Sequence, residues 1–118
     1  MKTPQIPFNE EERINDLLES QLLDTPRESD FDNITDLASS IFGMPISVIT
    51  LIDRERQWFK SCIGLPDTIT ETPREISFCG HSINTPSEVT IIHDARLDER
   101  FSDNPLVADG TIIFYAGA

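Results

Sequence analysis

The sequence contains 118 residues, of which 38% are hydrophobic and 25% are charged. This length suits one ordinary domain and is too short for two. The 21 acidic residues against nine basic ones give a net charge of −12, which excludes the basic face that nucleic-acid binding requires.

No apolar stretch approaches the roughly 20 residues needed to span a bilayer, and the first residues lack the apolar core of a secretory signal. We therefore expect a soluble, cytoplasmic domain without direct membrane contact. The two cysteines, Cys62 and Cys79, do not form a disulfide framework, and reduced thiols are expected for a chain of this kind.

Two helices are predicted after an extended lead-in over residues 1–8. Asn9 is a suitable N-cap for the first, which carries acidic residues in its first turn and an apolar stripe as far as residue 22, before Thr25 and Pro26. The second is predicted over residues 29–42 and is ended by Gly43. Its apolar side consists of Phe31, Ile34, Leu37, Ala38, Ile41 and Phe42.

The pattern then changes to that of strands. Residues 46–52 are apolar on both faces, which favours an interior strand. A polar turn leads to a returning antiparallel strand over residues 56–63. A polar loop is predicted over residues 67–76.

The last third of the sequence is mixed. Ser77 can cap a short helix over residues 78–84, and a strand over residues 89–92 is followed by a segment that is mostly loop, with a helical turn near Asn104. A final apolar strand over residues 111–116 lies at the end of the sequence without a following partner. We expect it to be completed either by further chain or by another molecule.

The sequence contains two cysteines and two histidines, residue types that bind zinc. Cys79 and His81, with Cys62 and His93, match no zinc-binding spacing, so no metal site is predicted. A Cys–His nucleophilic pair is conceivable. However, residues two apart on a helix point about 200° from each other, so no catalytic residue is assigned.

Two other features have both a structural and a functional interpretation. Trp58 and Phe59 are adjacent on a strand and must face opposite sides, so one enters the core while the other faces a helix or pocket. The alternating charges of residues 94–100 either pair with one another or form a polar lid in which Arg96 or Arg100 meets an anionic ligand group.

A series of ordered motifs also resembles a known family. The motifs are Leu23-Asp24-Thr25-Pro26, Phe42-Gly43-Met44-Pro45-Ile46, Asp53-Arg54-Glu55-Arg56-Gln57-Trp58-Phe59-Lys60, Ile76-Ser77-Phe78-Cys79-Gly80-His81, Asp103-Asn104-Pro105-Leu106-Val107 and Phe114-Tyr115-Ala116-Gly117-Ala118. With them the chain resembles the GAF domain family, in particular the bacterial subgroup found N-terminal to sensor histidine kinases, diguanylate cyclases and phosphodiesterases. The subgroup usually has Arg before the Phe-Tyr pair, whereas this sequence has Ile113.

The resemblance implies an α+β fold, a GAF-like central antiparallel sheet with the N-terminal helices on one face and a ligand pocket on the other. It implies one domain over residues 9–118, incomplete at its C-terminus, which binds an unassigned small molecule and controls an attached output domain. The expected ligand-binding residues are Trp58, Phe78, Cys79, His81, Asp94, Arg100, Phe101 and Tyr115. No cofactor is assigned, and a homodimer with a C-terminal effector domain is expected.

Two alternatives remain open. The chain could be a dimerisation or interaction module without a physiological ligand. It could also be a thiol-dependent reductase that resembles the free methionine sulfoxide reductases of this fold, although their clustered cysteines are not matched by Cys62 and Cys79.

Overall fold

The structure is a computed structural model that describes all 118 residues, and the chain divides into two units. Asn9–Thr72 form one unit, which we call the hairpin unit. Met1–Phe8 and Pro73–Ala118 form the other, which we call the α3 unit. Each unit is described by itself.

The hairpin unit begins with α1 (Glu10–Ser20), whose first turn carries three glutamates, as anions are favoured at a helix N-terminus. The prediction that Asn9 caps this helix is wrong. Its backbone lies at φ −99° and ψ 26°, outside the extended region that a side-chain cap uses, and its side chain makes no cap bond. The helix also ends earlier than predicted, because Gln21 turns into the left-handed region at φ 56°.

Helix α2 (Ser29–Phe42) has the predicted bounds, and Gly43 at φ 62° ends it. It packs on the two hairpin strands, with Thr35 as its buried residue. The apolar side predicted for α2 is only partly covered by the sheet. Ile34, Leu37, Ile41 and Phe42 are each more than half exposed.

Strands β1 (Ser47–Ile52) and β2 (Arg56–Ile63) form the predicted antiparallel hairpin, and β3 (Glu71–Pro73) pairs with the far side of β2. The interior position predicted for β1 is wrong, because the strand order β1-β2-β3 leaves it at an edge. The register shifts between Ile49, opposite Ser61, and Thr50, opposite Phe59, so Lys60 is the additional residue of a bulge. Strand β3 lies where a polar loop is predicted.

The α3 unit contains α3 (Phe78–Ser82), β4 (Thr90–Ile92), α4 (Pro105–Ala108) and β5 (Tyr115–Gly117). Short 3₁₀ helices cover Arg74–Ile76 and Ala95–Leu97. Strands β4 and β5 pair antiparallel in a two-stranded sheet. The core of this unit consists of five buried residues, Phe78, Ile92, Ala95, Phe101 and Val107.

The fold class is α+β with antiparallel sheets, as predicted. The strands form two sheets, of three and two strands, where the resemblance implies one central sheet. No strand of the chain pairs with the second edge of β1. No helix combines the length and apolar character needed to cross a membrane.

Candidate functional site

The N-terminus of α3 is held by a side-chain cap. Ser77 Oγ accepts the Gly80 N–H at 3.0 Å and donates to the Arg74 carbonyl at 2.7 Å. A Cβ on Gly80 would lie 2.6 Å from Ser77 Oγ and 2.9 Å from Pro4 Cγ. The glycine between Cys79 and His81 therefore lies in a closely packed position.

An aromatic stack joins three of the predicted site residues. The rings of Phe78 and Phe101 are parallel at 4.3 Å between centroids, and the Tyr115 ring also stacks on Phe78 at 4.9 Å between centroids. Phe101 is completely buried and Phe78 is 6% exposed. These two rings are core residues, and in this structure they offer a ligand almost no surface.

Polar groups surround the exposed end of this stack. The Tyr115 hydroxyl lies 3.0 Å from Ser82 Oγ and 3.4 Å from Cys79 Sγ. Burial raises the pKa of Tyr115 well above its usual value, with the neighbouring thiol as a further cause. We call Cys79, His81, Ser82 and Tyr115 the α3 cluster; all four side chains are partly exposed.

His81 completes this cluster. Its Nε2 lies 2.9 Å from the Lys2 carbonyl, so Nε2 carries the hydrogen and donates it. Its ring meets Phe101 edge-on at 4.9 Å between centroids. Burial lowers the pKa of His81 from its ordinary value.

Asp94 and Arg100 are engaged locally. Asp94 caps the 3₁₀ helix by accepting the Arg96 N–H at 3.0 Å and also binds the Arg96 guanidinium at 2.7 Å. Arg100 pairs with Asp98 at 2.9 Å, and its guanidinium lies 4.9 Å from the Phe101 ring centroid. The alternating charges of this loop therefore pair with one another, and each carboxylate has a lowered pKa because of its arginine.

The eighth predicted residue, Trp58, belongs to the hairpin unit, where it is 8% exposed on β2 opposite Leu51. The structure thus brings the other seven predicted residues into the α3 unit. Sequence reasoning missed Ser82. Its position four residues after Phe78 on a capped helix was the available signal, because such residues share one helix face.

Within the α3 cluster, Cys79 and His81 make no hydrogen bond to each other. The Cys79 sulfur lies beside the Tyr115 hydroxyl, whose raised pKa keeps it protonated, and His81 Nε2–H donates to the Lys2 carbonyl. The cluster instead offers a thiol, two hydroxyls and an imidazole as hydrogen-bonding groups, with the Tyr115 ring as its partly exposed aromatic side chain. No group of three or more His, Cys, Asp or Glu side chains is placed to hold a metal ion.

The chain is thus an α+β domain with a partly exposed polar cluster beside a capped helix. No family model matches it. It is 41% identical, over 119 aligned residues, to a cyclic di-GMP phosphodiesterase of Pseudomonas aeruginosa. That similarity covers all of this chain, which spans about a fifth of the length of this relative.

Proposed function

We propose that this chain is a regulatory domain of the GAF type in a cyclic-dinucleotide signalling protein, where it binds a small molecule and controls an attached output. The observation that carries the proposal is the 41% identity, along the whole chain, to one fifth of a cyclic di-GMP phosphodiesterase. Among the outputs that the resemblance implies, this relative favours a phosphodiesterase over a histidine kinase or a diguanylate cyclase.

A non-catalytic role follows from the share of the relative that is matched. One fifth of an enzyme's length, here 118 residues, is the size of a single accessory domain. The α3 cluster supports the same assignment. A nucleophile needs a base within hydrogen-bond reach, and the hydrogen-bond partner of Cys79 is the Tyr115 hydroxyl.

We assign the ligand site to the α3 cluster. Tyr115, Ser82 and Cys79 form one hydrogen-bonded group, and each also presents some surface to solvent. A few convergent polar groups beside an aromatic ring, here that of Tyr115, are typical of small-molecule sites. Asp94 and Arg100, which are paired with neighbours, would act at its border.

The test uses the full-length protein. A thermal-shift screen of small metabolites should find a compound that stabilises it, and the same compound should change hydrolysis of cyclic di-GMP. Ser82→Ala should weaken both effects by removing a hydroxyl from the cluster, whereas Glu88→Gln, an exposed change in the same unit, should leave both intact. If no compound stabilises the protein and Ser82→Ala leaves its output unchanged, the sensing role is wrong.

A second candidate, an interaction module, is favoured by one observation. Ile34, Leu37 and Ile41 lie at spacings of three and four residues on α2, and all are more than half exposed. Such a stripe is typical of a helix that packs against another chain. Sedimentation should show a dimer that Leu37→Lys converts to a monomer, while Asp36→Lys, on another side of the same helix, does not. A monomeric parent protein rejects this candidate.

A further inference from the structure

A groove runs along β2 in the hairpin unit, apart from the α3 cluster. It is about 400 Å³ in volume and is lined by residues 25–27, 58–62, 65–67 and 69–70. Its volume lies in the range of sites for small molecules. We propose that this groove binds a small amphipathic carboxylate, a compound with one carboxylate on a compact apolar body.

The walls supply the apolar part of the site. Phe59 comes from β2, with the mostly buried Trp58 next to it, while Leu65, Pro66 and Ile69 come from the loop that follows β2. The loop is held in place, because its Ile69 N–H donates to the Pro66 carbonyl at 2.9 Å and its Thr70 carbonyl accepts the Phe59 N–H at 3.0 Å. An apolar body can therefore enter a preformed cleft without ordering the loop first.

Arg27 supplies the recognition group. Its Nε and Nη2 bind the Asp32 carboxylate, and Nη2 also donates to the Cys62 carbonyl at 3.1 Å. Asp32 is itself fixed by Ser61 Oγ at 2.6 Å. The guanidinium is thus oriented from two sides, whereas its Nη1 group donates no hydrogen bond and its side chain is 52% exposed.

Lys60 adds positive charge without competing for the ligand. The bulge places its side chain, which is fully buried, against the segment before α2. Its ammonium binds Thr25 Oγ1 at 2.7 Å, the Pro26 carbonyl at 2.8 Å and Glu28 at 2.5 Å. These three acceptors use all three donors of an ammonium group, so the ligand must be recognised by Arg27.

The charge of the groove selects a singly charged anion. Its lining contains two cations, Arg27 and Lys60, and one acid, Asp67, in a chain whose net charge is −12. Asp32 and Glu28 stand behind these cations and partly neutralise them. A phosphate ester with nearly two negative charges would meet these acids, whereas a carboxylate needs only the two N–H groups of Arg27 Nη1.

The test uses Trp58, the only tryptophan of the chain, as a fluorescent reporter in the groove wall. The probe is cyclohexylacetate, which has no aromatic ring and therefore does not absorb the light that excites the Trp58 indole. Its matched control is cyclohexylacetamide. The carboxylate should change Trp58 emission saturably. The amide should bind about tenfold more weakly or worse, because it lacks the charge-assisted bonds.

Two exposed substitutions identify the charge that acts. Arg27→Gln should weaken binding of the carboxylate about tenfold or more, and Asp67→Asn should tighten it. Arg96→Gln, an exposed cation of the other unit, should change nothing. Circular dichroism establishes that each variant is folded, and Asp67→Asn tests the proposal if Arg27→Gln does not fold.

Three results overturn the proposal. The first is no change of Trp58 emission, and no chemical-shift change at the Ile69 methyl groups, up to the solubility limit of the carboxylate. The second is equal binding of acid and amide, which shows an apolar cleft without selection for charge. The third is unchanged affinity in both Arg27→Gln and Asp67→Asn.

Discussion

The hydroxyl oxygens of Thr35 and Ser61 lie 2.8 Å apart, both on buried residues, and this contact joins α2 to β2. Ser61 donates its hydrogen to the Asp32 carboxylate at 2.6 Å, so the hydrogen between the two hydroxyls comes from Thr35, whose Oγ1 also lies 3.0 Å from the Asp32 carbonyl oxygen. The helix is therefore attached to the hairpin through a buried hydroxyl pair, beside an apolar stripe that the hairpin does not cover.

The first prediction concerns this hydroxyl pair. Thr35→Val keeps the branched shape and removes the hydroxyl, so it should lower the free energy of unfolding by about 1–2 kcal/mol. Urea unfolding measures the change. Ser40→Ala on the exposed side of the same helix should alter stability by less than about 0.5 kcal/mol. Equal effects of the two substitutions would contradict this account.

The second prediction compares two glycines with positive φ. Gly43 lies at φ 62° with no atom within 4 Å of a built Cβ, whereas a Cβ on Gly64, at φ 90°, would lie 2.0 Å from the Pro45 carbonyl oxygen. Gly43→Ala should cost about 1 kcal/mol from backbone strain. Gly64→Ala should cost at least about 2 kcal/mol more, because a backbone atom must move. Urea unfolding of both variants measures the two losses of stability. Similar losses would contradict a close backbone approach at Gly64.

The third prediction uses the single tyrosine of the chain. Because burial raises the pKa of Tyr115, the phenolate absorbance near 295 nm should rise only well above pH 10. The folded state resists ionisation, so this group costs stability as the pH rises past the unfolded pKa.

Two variants test the cause of the Tyr115 shift. The Ser82 hydroxyl lowers the pKa of Tyr115 and the Cys79 thiol raises it. Ser82→Ala should therefore move the absorbance transition to higher pH, and Cys79→Ala should move it to lower pH. Shifts in the same direction in both variants would show that these contacts do not control the phenol.

The fourth prediction concerns His81, whose pKa is lowered by burial. The hydrogen bond to the Lys2 carbonyl and the Asp98 charge oppose this lowering, and the Arg100 and Lys2 charges add to it. A histidine with a depressed folded pKa favours folding above the unfolded pKa, near 6.5. As the pH falls below that value the unfolded chain takes up the proton first, so this part of the stability is lost down to the folded pKa. Urea melts between pH 7.5 and 5 should show this loss, and His81→Gln should reduce it. An unchanged slope in the variant would contradict the prediction.

Local patterns predicted several elements well. The bounds of α2, the Gly43 terminus, the Ser77 cap and the β1–β2 hairpin depend on residues close in sequence, so spacing and turn chemistry were sufficient. Strand β3 was missed because Glu71–Pro73 has the composition of a loop. The segment has low strand propensity and is extended because it pairs with β2.

The candidate site was predicted only in part. The sequence pointed to α3 and to Tyr115, but it could not show that the Tyr115 hydroxyl meets Ser82, since these residues are 33 positions apart. It also could not distinguish the lid interpretation of residues 94–100 from local pairing, which the Asp94–Arg96 and Asp98–Arg100 contacts decide in this structure.

The sequence by itself determined the α+β class, the acidic surface and the hairpin, because composition, period and caps act over a few residues. Only the tertiary structure decided that β1 lies at an edge and that Lys60 occupies a bulge. It also showed that Phe78 and Phe101 are core residues and that Arg27 lines a groove. The physical reason is that burial and hydrogen-bond partners come from segments distant in sequence, and these contacts decide which of a residue's possible roles is realised.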